Sequence, residues 1–308
     1  MSQWKNVNNS LIWLGLLLPL ILYGINVFRR PSRVAIAPKP LFQGITYRRQ
    51  VKQTPRPHII HIVEIDLTAP GITPLVTLGY PGAVPGDSYN RIPEETLAQR
   101  TSEFVETQGV QLAINGNFFY PFREVTPWNY GPRPGKRVNS VGIIMSEGKL
   151  VSKPEEKWPS LCLMERRAEI RADGTCEDSL QAVAGQTVLL ENGEQTEAVT
   201  QRLAEEGIRP YPFNIVALDA TGTQLWLIQT DGKQPFYSEG ITLPEATDLL
   251  QELGVETALR LDGGGSTTMA ISTPDGPKVL NVPAHTKIPG RQRPVANNLG
   301  FFAKPLVP

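Results

Sequence analysis

The stretch GITLPEATDLLQELGVETALRLDGGGSTTM, residues 240–269, places a helix, a strand and a glycine-rich loop in direct succession. Thr242 and Glu245 have the spacing of a capping box, and Gly254 stands where such a helix stops. The apolar residues of the helix would share one inward face: Leu243, Ala246, Leu249, Leu250 and Leu253. The following residues, VETALRL at 255–261, predict a strand that ends at the loop.

A second helix–strand unit lies earlier in the chain. IPEETLAQRTSEFVETQG, residues 92–109, predicts a helix that starts near Pro93. Its apolar face would hold Leu97, Thr101, Phe104 and Val105. VQLAI then predicts a strand that leads into a polar loop. If the strands of the two units are neighbours, Asn115, Asn117 and Asp262 emerge at one sheet edge, where functional sites are often assembled.

The rest of the chain has mainly a β pattern. HIIHIVEIDL, residues 58–67, predicts one strand, and residues 140–152, 185–194 and 214–232 predict strands beside short turns. Two of these turns are Glu147-Gly148 and Asn192-Gly193. No domain break is visible after residue 45. We therefore expect one α+β domain, residues 45–308, built on a mixed β-sheet with several hairpins and few helices.

The glycine run in this loop is a candidate anion site. Gly263–Gly265 would be conformationally costly to order, but successive amides without Cβ atoms can converge on an anion. The loop lacks the lysine of a nucleotide-binding P-loop, and Ser266 lacks the frame of a nucleophile elbow. A tight turn capped by Asp262 is the structural alternative. The adjacent carboxylate and the three hydroxyls of residues 266–268 favour a functional site.

A third segment, HTKIPGRQRPVANNLGFF at residues 285–302, carries Arg291 and Arg293. An arginine followed by a proline suits bidentate contact with phosphate, whereas a solvated loop cation is the alternative. The chain has only three histidines. Since His58 and His61 lie in or beside a strand pattern, we expect structural roles for them. A Ser-His-Asp triad is therefore disfavoured.

The N-terminal residues predict a membrane segment. Residues 11–28, LIWLGLLLPLILYGINVF, carry no charge and reach the lower limit for spanning a bilayer. We expect residues 1–28 to be a signal anchor or transmembrane segment, and the proline-rich basic residues 29–44 to be a linker. AIA at 35–37 resembles a signal-peptidase site but precedes Pro38, so an uncleaved anchor is preferred. The positive charge after residue 28 would favour a cytoplasmic body.

The two cysteines favour an extracytoplasmic body, on the side of the membrane opposite to the one that the positive charges favour. Cys162 and Cys176 are 14 residues apart across a predicted hairpin. A disulfide there would stabilise the fold by about 3 kcal/mol and imply an oxidising compartment. Two free thiols are the alternative. On balance we expect a membrane-anchored protein whose body is extracytoplasmic, in a periplasm or lumen.

Charge gives no reason to expect a nucleic-acid partner. The 308 residues contain 30 basic and 30 acidic side chains. Five of the basic residues and none of the acidic ones lie in residues 1–40, so the body is mildly acidic. Such a body has no electrostatic attraction for nucleic acid.

Three motifs together resemble the phosphodiester glycosidase family: AINGNFF from residue 113, LDGGGSTTM from residue 261 and RPVAN from residue 293. The resemblance covers about residues 45–303 and suggests a bacterial-type, membrane-anchored member. It implies catalytic roles for Asp262, Asn115 and Asn117. It also implies phosphate or substrate binding by Gly263, Gly264, Gly265, Ser266, Thr267, Thr268, Arg293 and Asn297.

The resemblance implies that Asp262 is a base or nucleophile near the anomeric carbon, or a metal ligand. The sequence requires no cofactor, and it leaves open whether the site binds a divalent metal. Ordinary glycosidases use two carboxylates. The sequence does not select the second one among the candidates Glu64, Asp219, Asp231 and Glu239.

Two departures from the family pattern concern the substrate. Family members commonly carry Arg-Thr before the strand that matches IVALD, whereas this chain has Phe213 and Asn214. Asn117 also stands where GGFF has a glycine. We expect a hydrolase that cuts a glycosyl-1-phosphodiester at the anomeric carbon, on an exported or cell-surface glycan such as an exopolysaccharide. A noncatalytic phosphoglycan-binding protein and a metal-dependent phosphodiesterase are the alternatives.

Overall fold

The computed structural model describes residues 20–21, 23–85 and 95–306. Its strands, in chain order, are β1 Ile36–Phe42, β2 Ile45–Lys52, β3 His58–Asp66, β4 Thr73–Val76, β5 Thr96–Leu97, β6 Leu112–Asn115, β7 Phe119–Tyr120, β8 Arg123–Glu124, β9 Tyr130–Gly131, β10 Arg137–Ser140, β11 Ile144–Ser146, β12 Lys149–Ser152, β13 Ser160–Leu163, β14 Ala168–Arg171, β15 Gln181–Ala184, β16 Thr187–Glu191, β17 Glu194–Gln195, β18 Asn214–Leu218, β19 Gln224–Thr230, β20 Thr257–Arg260, β21 Met269–Ile271, β22 Lys278–Val279 and β23 Asn298–Phe302. The helices are α1 Thr101–Gln108, α2 Glu197–Glu206 and α3 Leu243–Glu252, with 3-10 turns at Gly264–Ser266 and His285–Lys287. Residues 23–28 are also helical.

The strands form several sheets rather than one. The largest has the order β1-β2-β3-β19-β18-β20-β16-β17, and two five-stranded sheets have the orders β22-β21-β6-β23-β4 and β12-β11-β15-β13-β14. Within the described residues, the ladders between these strands are antiparallel. The expected mixed sheet is therefore wrong. The reason is that hairpins such as β1–β2, β11–β12 and β18–β19 build the sheets, while the predicted helix–strand units do not build parallel crossovers between adjacent strands.

Helix α3 forms as the sequence predicts. Thr242 Oγ1 accepts from the amide of Glu245, and the Glu245 carboxylate accepts from the amide of Thr242. Gly254 adopts a positive φ of 69° just after the helix. The predicted inward face is buried at Leu243, Ala246, Leu249 and Leu250, in a cluster with Ile215 and Ala258 of the largest sheet. The helix is thus held by capping at its start and by packing along one face.

Helix α1 starts later than expected. Thr96 and Leu97 form β5 and pair with Val138 and Arg137, so the helix begins only at Thr101. Its start near Pro93 is thus wrong, and residues 86–94 lie outside the described part of the chain. Pairing with β10 outweighs the helical signal at these residues. The predicted buried residues Phe104 and Val105 do lie in the core.

The hairpin turns follow their local sequence. Glu147 and Gly148 have φ values of 52° and 72°, and Asn192 and Gly193 have 54° and 74°. Positive φ at both central residues is the geometry that suits the twist of a two-residue hairpin. The predicted strand at residues 58–67 is β3, and the predicted pair at 214–232 is β18 and β19.

The strands that precede the two polar loops are not neighbours. β6 lies in one five-stranded sheet and β20 in the eight-stranded sheet, which corrects the expected shared sheet edge. The sheets pack face to face through a core that contains Ile114, Val216 and Leu259. This packing, rather than strand pairing, brings the ends of β6 and β20 together.

The N-terminal region differs from the expected linker and leaves the anchor prediction open. Residues 36–42 lie within the predicted linker yet form β1, which pairs with β2 at the sheet edge. Residues 11–19 and 22 of the predicted membrane segment lie outside the described residues. Among the described residues no helix is long and apolar enough to cross a bilayer. The predicted disulfide is present between Cys162 and Cys176.

Candidate active site

Asn115, at the end of β6, links the two polar loops. Its Nδ2 donates to the Asp262 carbonyl over 2.8 Å, and its Oδ1 accepts from the amide of Thr268 over 3.0 Å. The amide of Asp262 donates back to the Gly116 carbonyl over 3.1 Å. Because Asn115 is fully buried and bonded at both ends of its side chain, it holds Asp262 in position from behind.

Asn214, the first residue of β18, extends this network. Its Nδ2 donates to the Asn115 carbonyl over 2.8 Å, and its Oδ1 accepts from Gln229 Nε2 over 3.0 Å. Gln229 Nε2 also lies 3.1 Å from the Thr268 carbonyl. The Asn214 side chain therefore links β18 and β19 by hydrogen bonds to the loops that follow Asn115 and Leu261.

The glycine loop needs its glycines because protein atoms crowd each of them. A Cβ on Gly263 would lie 2.5 Å from the Pro212 carbonyl oxygen, and one on Gly265 would lie 2.6 Å from Arg293 Nη2. Gly264 adopts a φ of 63°, and its Cβ would lie 2.5 Å from the Tyr211 hydroxyl. The amide of Gly264 donates to the Pro212 carbonyl, so this one of the three predicted anion-binding amides is occupied within the protein.

Arg293 is the centre of the polar contacts at the loop. Its Nη1 donates to Ser266 Oγ over 2.9 Å, and its Nη2 bonds the Glu124 carboxylate. His285 Nδ1 lies 3.2 Å from Arg293 Nε and 3.1 Å from Glu124 Oε2. Arg291, the other predicted arginine, donates instead to Pro127 and Thr286. Only Arg293 of the pair therefore belongs to the site.

A cavity of about 410 Å³ joins these groups. Its lining consists of Phe118, Phe119, Phe122, Glu124, Tyr211, Lys233, Asp262, Gly263, Gly265 and Arg293. The size and mixed lining are those of a small-molecule site, with apolar walls and a few converging polar groups. Of the predicted residues, Asp262, two glycines and Arg293 thus reach the cavity.

The other predicted site residues lie behind the cavity wall. Asn297 Oδ1 accepts from the amide of Asn117 over 2.6 Å, and its Nδ2 donates to Ser140. Thr267 and Thr268 donate their hydroxyl protons to backbone carbonyls. Asn117 Nδ2 donates to the Val141 carbonyl, while its buried Oδ1 has no hydrogen-bond partner among the described residues. These hydrogen bonds hold the loops around the cavity in place, and the residues that make them do not line the cavity.

Lys233 is a second cation in the cavity that the sequence did not indicate. It follows Asp231-Gly232 in the loop after β19 and adopts a φ of 58°. Its Nζ lies 4.6 Å from the centre of the Tyr211 ring. Arg260 approaches the same wall from β20, with its guanidinium 5.0 Å from the centre of the Phe213 ring. Arg260 therefore lies beside Phe213, while Lys233 lies beside Tyr211 in the cavity lining.

Glu124 is the second carboxylate of the cavity. None of the four candidates Glu64, Asp219, Asp231 and Glu239 lines it. Glu64 pairs with Arg48 on the sheet surface, and Asp231 lies against buried His61. Glu124 lies in a short strand with no motif around it, so local sequence offered no signal for it. Both His58 and His61 are buried on β3, as their strand pattern suggested.

The two cavity carboxyls have opposite electrostatic environments. Burial raises the pKa of Asp262, although Arg293 and the Ser266 hydrogen bond oppose the shift. The hydrogen bond with His285, assisted by Arg293, lowers the pKa of Glu124 to about 2. Burial also lowers the pKa of His285, so its ring is neutral at neutral pH. The pKa values of the two carboxyls are thus shifted in opposite directions. This suits Asp262 to carry a proton and keeps Glu124 ionised.

The described residues contain no group of three or more His, Cys, Asp or Glu side chains placed to hold a metal ion. The donors around Asp262 are instead a hydroxyl and cations. Metal ligation by Asp262 stays a prediction, and no step below depends on it.

The fold and the cavity define a β-rich domain with a cavity lined by two carboxyls, two cations and aromatic rings. The chain matches the model of the phosphodiester glycosidase family over residues 108–302 and belongs to that family. No curated protein sequence gives a significant match.

Solved structures share the fold. The catalytic domain of zebrafish N-acetylglucosamine-1-phosphodiester alpha-N-acetylglucosaminidase, auto-inhibited by its propeptide, is 20% identical, with 86% of this chain and 85% of that chain covered and a TM-score of 0.57. A Burkholderia pseudomallei protein is 12% identical, covering 80% and 74%, with a TM-score of 0.55. A Synechocystis protein is 14% identical, covering 86% and 64%, with a TM-score of 0.50. At these identities the likeness establishes the fold alone.

Proposed function

We propose that this chain hydrolyses a glycosyl-1-phosphodiester at the anomeric carbon and releases a free sugar and a phosphomonoester. The observation that carries this proposal is one cavity in which the Asp262 carboxyl faces two cations, Lys233 and Arg293. Family membership supports the same chemistry. The cations suit the phosphate, and the carboxyl suits proton transfer at the sugar.

Phosphate binding does not depend on the family arginine that this chain lacks. Phe213 is buried behind the cavity lining, where its ring packs edge-on against Tyr211 and lies beside the Arg260 guanidinium. Lys233 and Arg293 provide positive charge on the cavity surface itself. A departing phosphate gains negative charge as the anomeric bond breaks, and fixed cations stabilise that charge.

Asp262 acts as the general base in this proposal. Its ionised carboxyl takes a proton from water while the water oxygen bonds to the anomeric carbon. The bond from that carbon to the phosphate oxygen breaks, its electron pair stays with the phosphate, and the proton passes to the phosphate or to solvent. Burial raises the pKa of Asp262, which makes it a stronger base. Activity should therefore decline as the pH falls through this raised pKa.

The aromatic wall and the disulfide suggest the sugar site and the compartment. Phe118, Phe119 and Phe122 offer apolar faces on which a sugar ring can pack. The disulfide supports an oxidising compartment for the body. With residues 11–28 as a membrane anchor, the substrate would be an exported or cell-surface glycan.

The deciding experiment incubates residues 29–308 with an N-acetylglucosamine 1-phosphodiester. Free sugar and phosphomonoester are measured together, with and without chelator. We expect both products from the wild type and at least a 100-fold loss in Asp262→Asn, since a base in the transition state contributes roughly 10²–10⁴-fold.

The products distinguish the alternatives. Sugar 1-phosphate as the product would indicate cleavage of the P–O bond and overturn the proposal. Full activity in Asp262→Asn would exclude Asp262 as the base. Saturable binding with no turnover of any glycosyl phosphodiester tried would establish a binding protein instead.

A further inference from the structure

A second and larger cavity adjoins the candidate active site. It has a volume of about 820 Å³ and lies between residues 120–123 and residues 131–137. We call these two segments the basic groove. Phe122 lines both this groove and the active-site cavity. A ligand that leaves the active site past Phe122 therefore enters the groove.

The groove carries four cations: Arg123, Arg133, Lys136 and Arg137. Among the described residues, none of the four forms a salt bridge. Glu124 is the only acidic residue between positions 119 and 137, and it is bound to Arg293 and His285. Within the described part of the chain, the positive charge of the groove is thus not neutralised by an acidic side chain, although the body as a whole is acidic.

Two of the cations are held in place without being neutralised. The Arg133 guanidinium lies 3.8 Å from the centre of the Tyr130 ring, and the Arg137 guanidinium lies 4.7 Å from that of Tyr80. Aromatic rings orient a guanidinium and leave its edge donors available. Such an arrangement is ready to receive anionic oxygens.

Apolar surface alternates with this charge. Tyr120 and Phe122 are 44% and 46% exposed, and Pro121 and Pro132 complete an apolar floor. A single phosphate would leave this floor uncovered. A chain of alternating phosphates and sugar or polyol units would place anions on the cations and apolar CH faces on the rings.

We propose that the basic groove binds the phosphate side of a polymeric substrate, in which sugars or polyols are joined by repeated phosphodiesters. The proposal names the substrate class of the proposed function and rests on it. The active site would hold the cleaved unit, and the groove would hold the next phosphates of the polymer.

The test measures binding of linear oligo(glycerol phosphate) with one, two, four and six phosphates by calorimetry. This probe contains no glycosidic bond, so its binding does not depend on turnover. We expect wild-type affinity to rise with length and to weaken with added salt. Arg123→Gln/Lys136→Gln should bind the six-phosphate probe about tenfold more weakly, a loss of about 1.4 kcal/mol, because two charge contacts that are screened by solvent are removed.

Lys149→Gln/Lys153→Gln is the matched control. It removes the same charge from exposed residues outside both cavities and should bind like the wild type. Equal loss in both variants, or affinity that does not rise with length, would overturn the proposal. Trp128 lies next to the groove, with its carbonyl bonded to Arg133 and its side chain 70% exposed. Binding to phosphatidylglycerol vesicles in place of the probe, with loss of that binding in Trp128→Ala, would also overturn the proposal. Failure of the glycosidase would appear separately, as probe binding without product from the glycosyl phosphodiester.

Discussion

The ammonium group of Lys233 lies in the cavity, where burial removes part of its hydration. Burial, followed by repulsion from Arg293, lowers its pKa. Perturbed pKa values of this kind cluster at functional sites, and under the proposed function the task of Lys233 is to bind the phosphate.

Replacing Lys233 with methionine tests that role. We expect kcat/KM for the monomeric diester to fall about 10–100-fold, because one charge-assisted contact to the leaving phosphate is lost. The free energy of unfolding should not fall, because a partly desolvated charge is removed as well. Lys278→Met, at an exposed site on β22, is the control and should keep full activity. A Lys233→Met enzyme with unchanged kinetics would remove Lys233 from the site.

Glu124 makes a pH-dependent contribution to stability. Its folded pKa of about 2 lies below its ordinary value of 4.5. A lowered carboxyl pKa stabilises the folded state above the unfolded pKa, and that contribution is lost as the pH falls toward the folded pKa.

The Glu124→Gln variant should therefore be about 2 kcal/mol less stable than the wild type near pH 7, which is less than the full linkage contribution because solvent screens this partly exposed carboxylate. The difference should shrink as the pH falls from 4.5 toward 2. Urea unfolding of both proteins between pH 7 and pH 3 measures it. A difference that stays constant with pH would show that the lost contact is not ionic.

The hairpin β13–β14 is held by a disulfide bond as well as by the hydrogen bonds between its two strands. Cys162 on β13 and Cys176 beyond β14 are fully buried, with Cα atoms 5.4 Å apart. They pack in a small cluster with Ile143 and Ala182, separate from the main core. A small cluster contributes limited apolar burial, so we expect the link to matter for this part of the fold.

Reduction of the disulfide should lower the free energy of unfolding by about 3 kcal/mol. Cys162→Ala/Cys176→Ala should lose a similar amount, and its stability should not respond to reductant. Thermal unfolding of both proteins with and without reductant is the measurement. A wild type that is insensitive to reductant would contradict the expectation.

Strand β1, at the edge of the eight-stranded sheet, packs as part of the folded domain. Ile36, Leu41 and Phe42 of β1 pack against the main core, and the amide of Gln43 donates to the Lys304 carbonyl. A chain that starts at residue 45 would lose these contacts and leave β2 as an uncovered edge, which promotes aggregation.

We expect residues 45–308 to be about 3 kcal/mol less stable than residues 29–308, from the apolar area of three partly buried side chains. The shorter chain should also aggregate at lower concentration. Chemical unfolding and light scattering of the two chains test this. Equal stability would mean that β1 adds nothing to the domain.

How much of the molecule the sequence predicts depends on the range of the interactions. The Thr242/Glu245 cap and the turns at Gly148 and Gly193 each arise within a few residues, the disulfide spans only 14, and all were predictable. Thr96 and Leu97 were misassigned to a helix because their pairing with β10 involves residues about 40 positions away. Sheet membership is a long-range property that periodicity does not record.

The same distinction applies to the site. By itself the sequence determined the family, through three local motifs, and it determined that Asp262, the glycine loop and Arg293 belong together. Only the tertiary structure decided that Asn115, Asn214 and Asn297 stand behind the cavity, and that Glu124, His285 and Lys233 complete it. These residues come from separate loops, and contacts such as Glu124–Arg293, 169 positions apart, exist only once the sheets have packed.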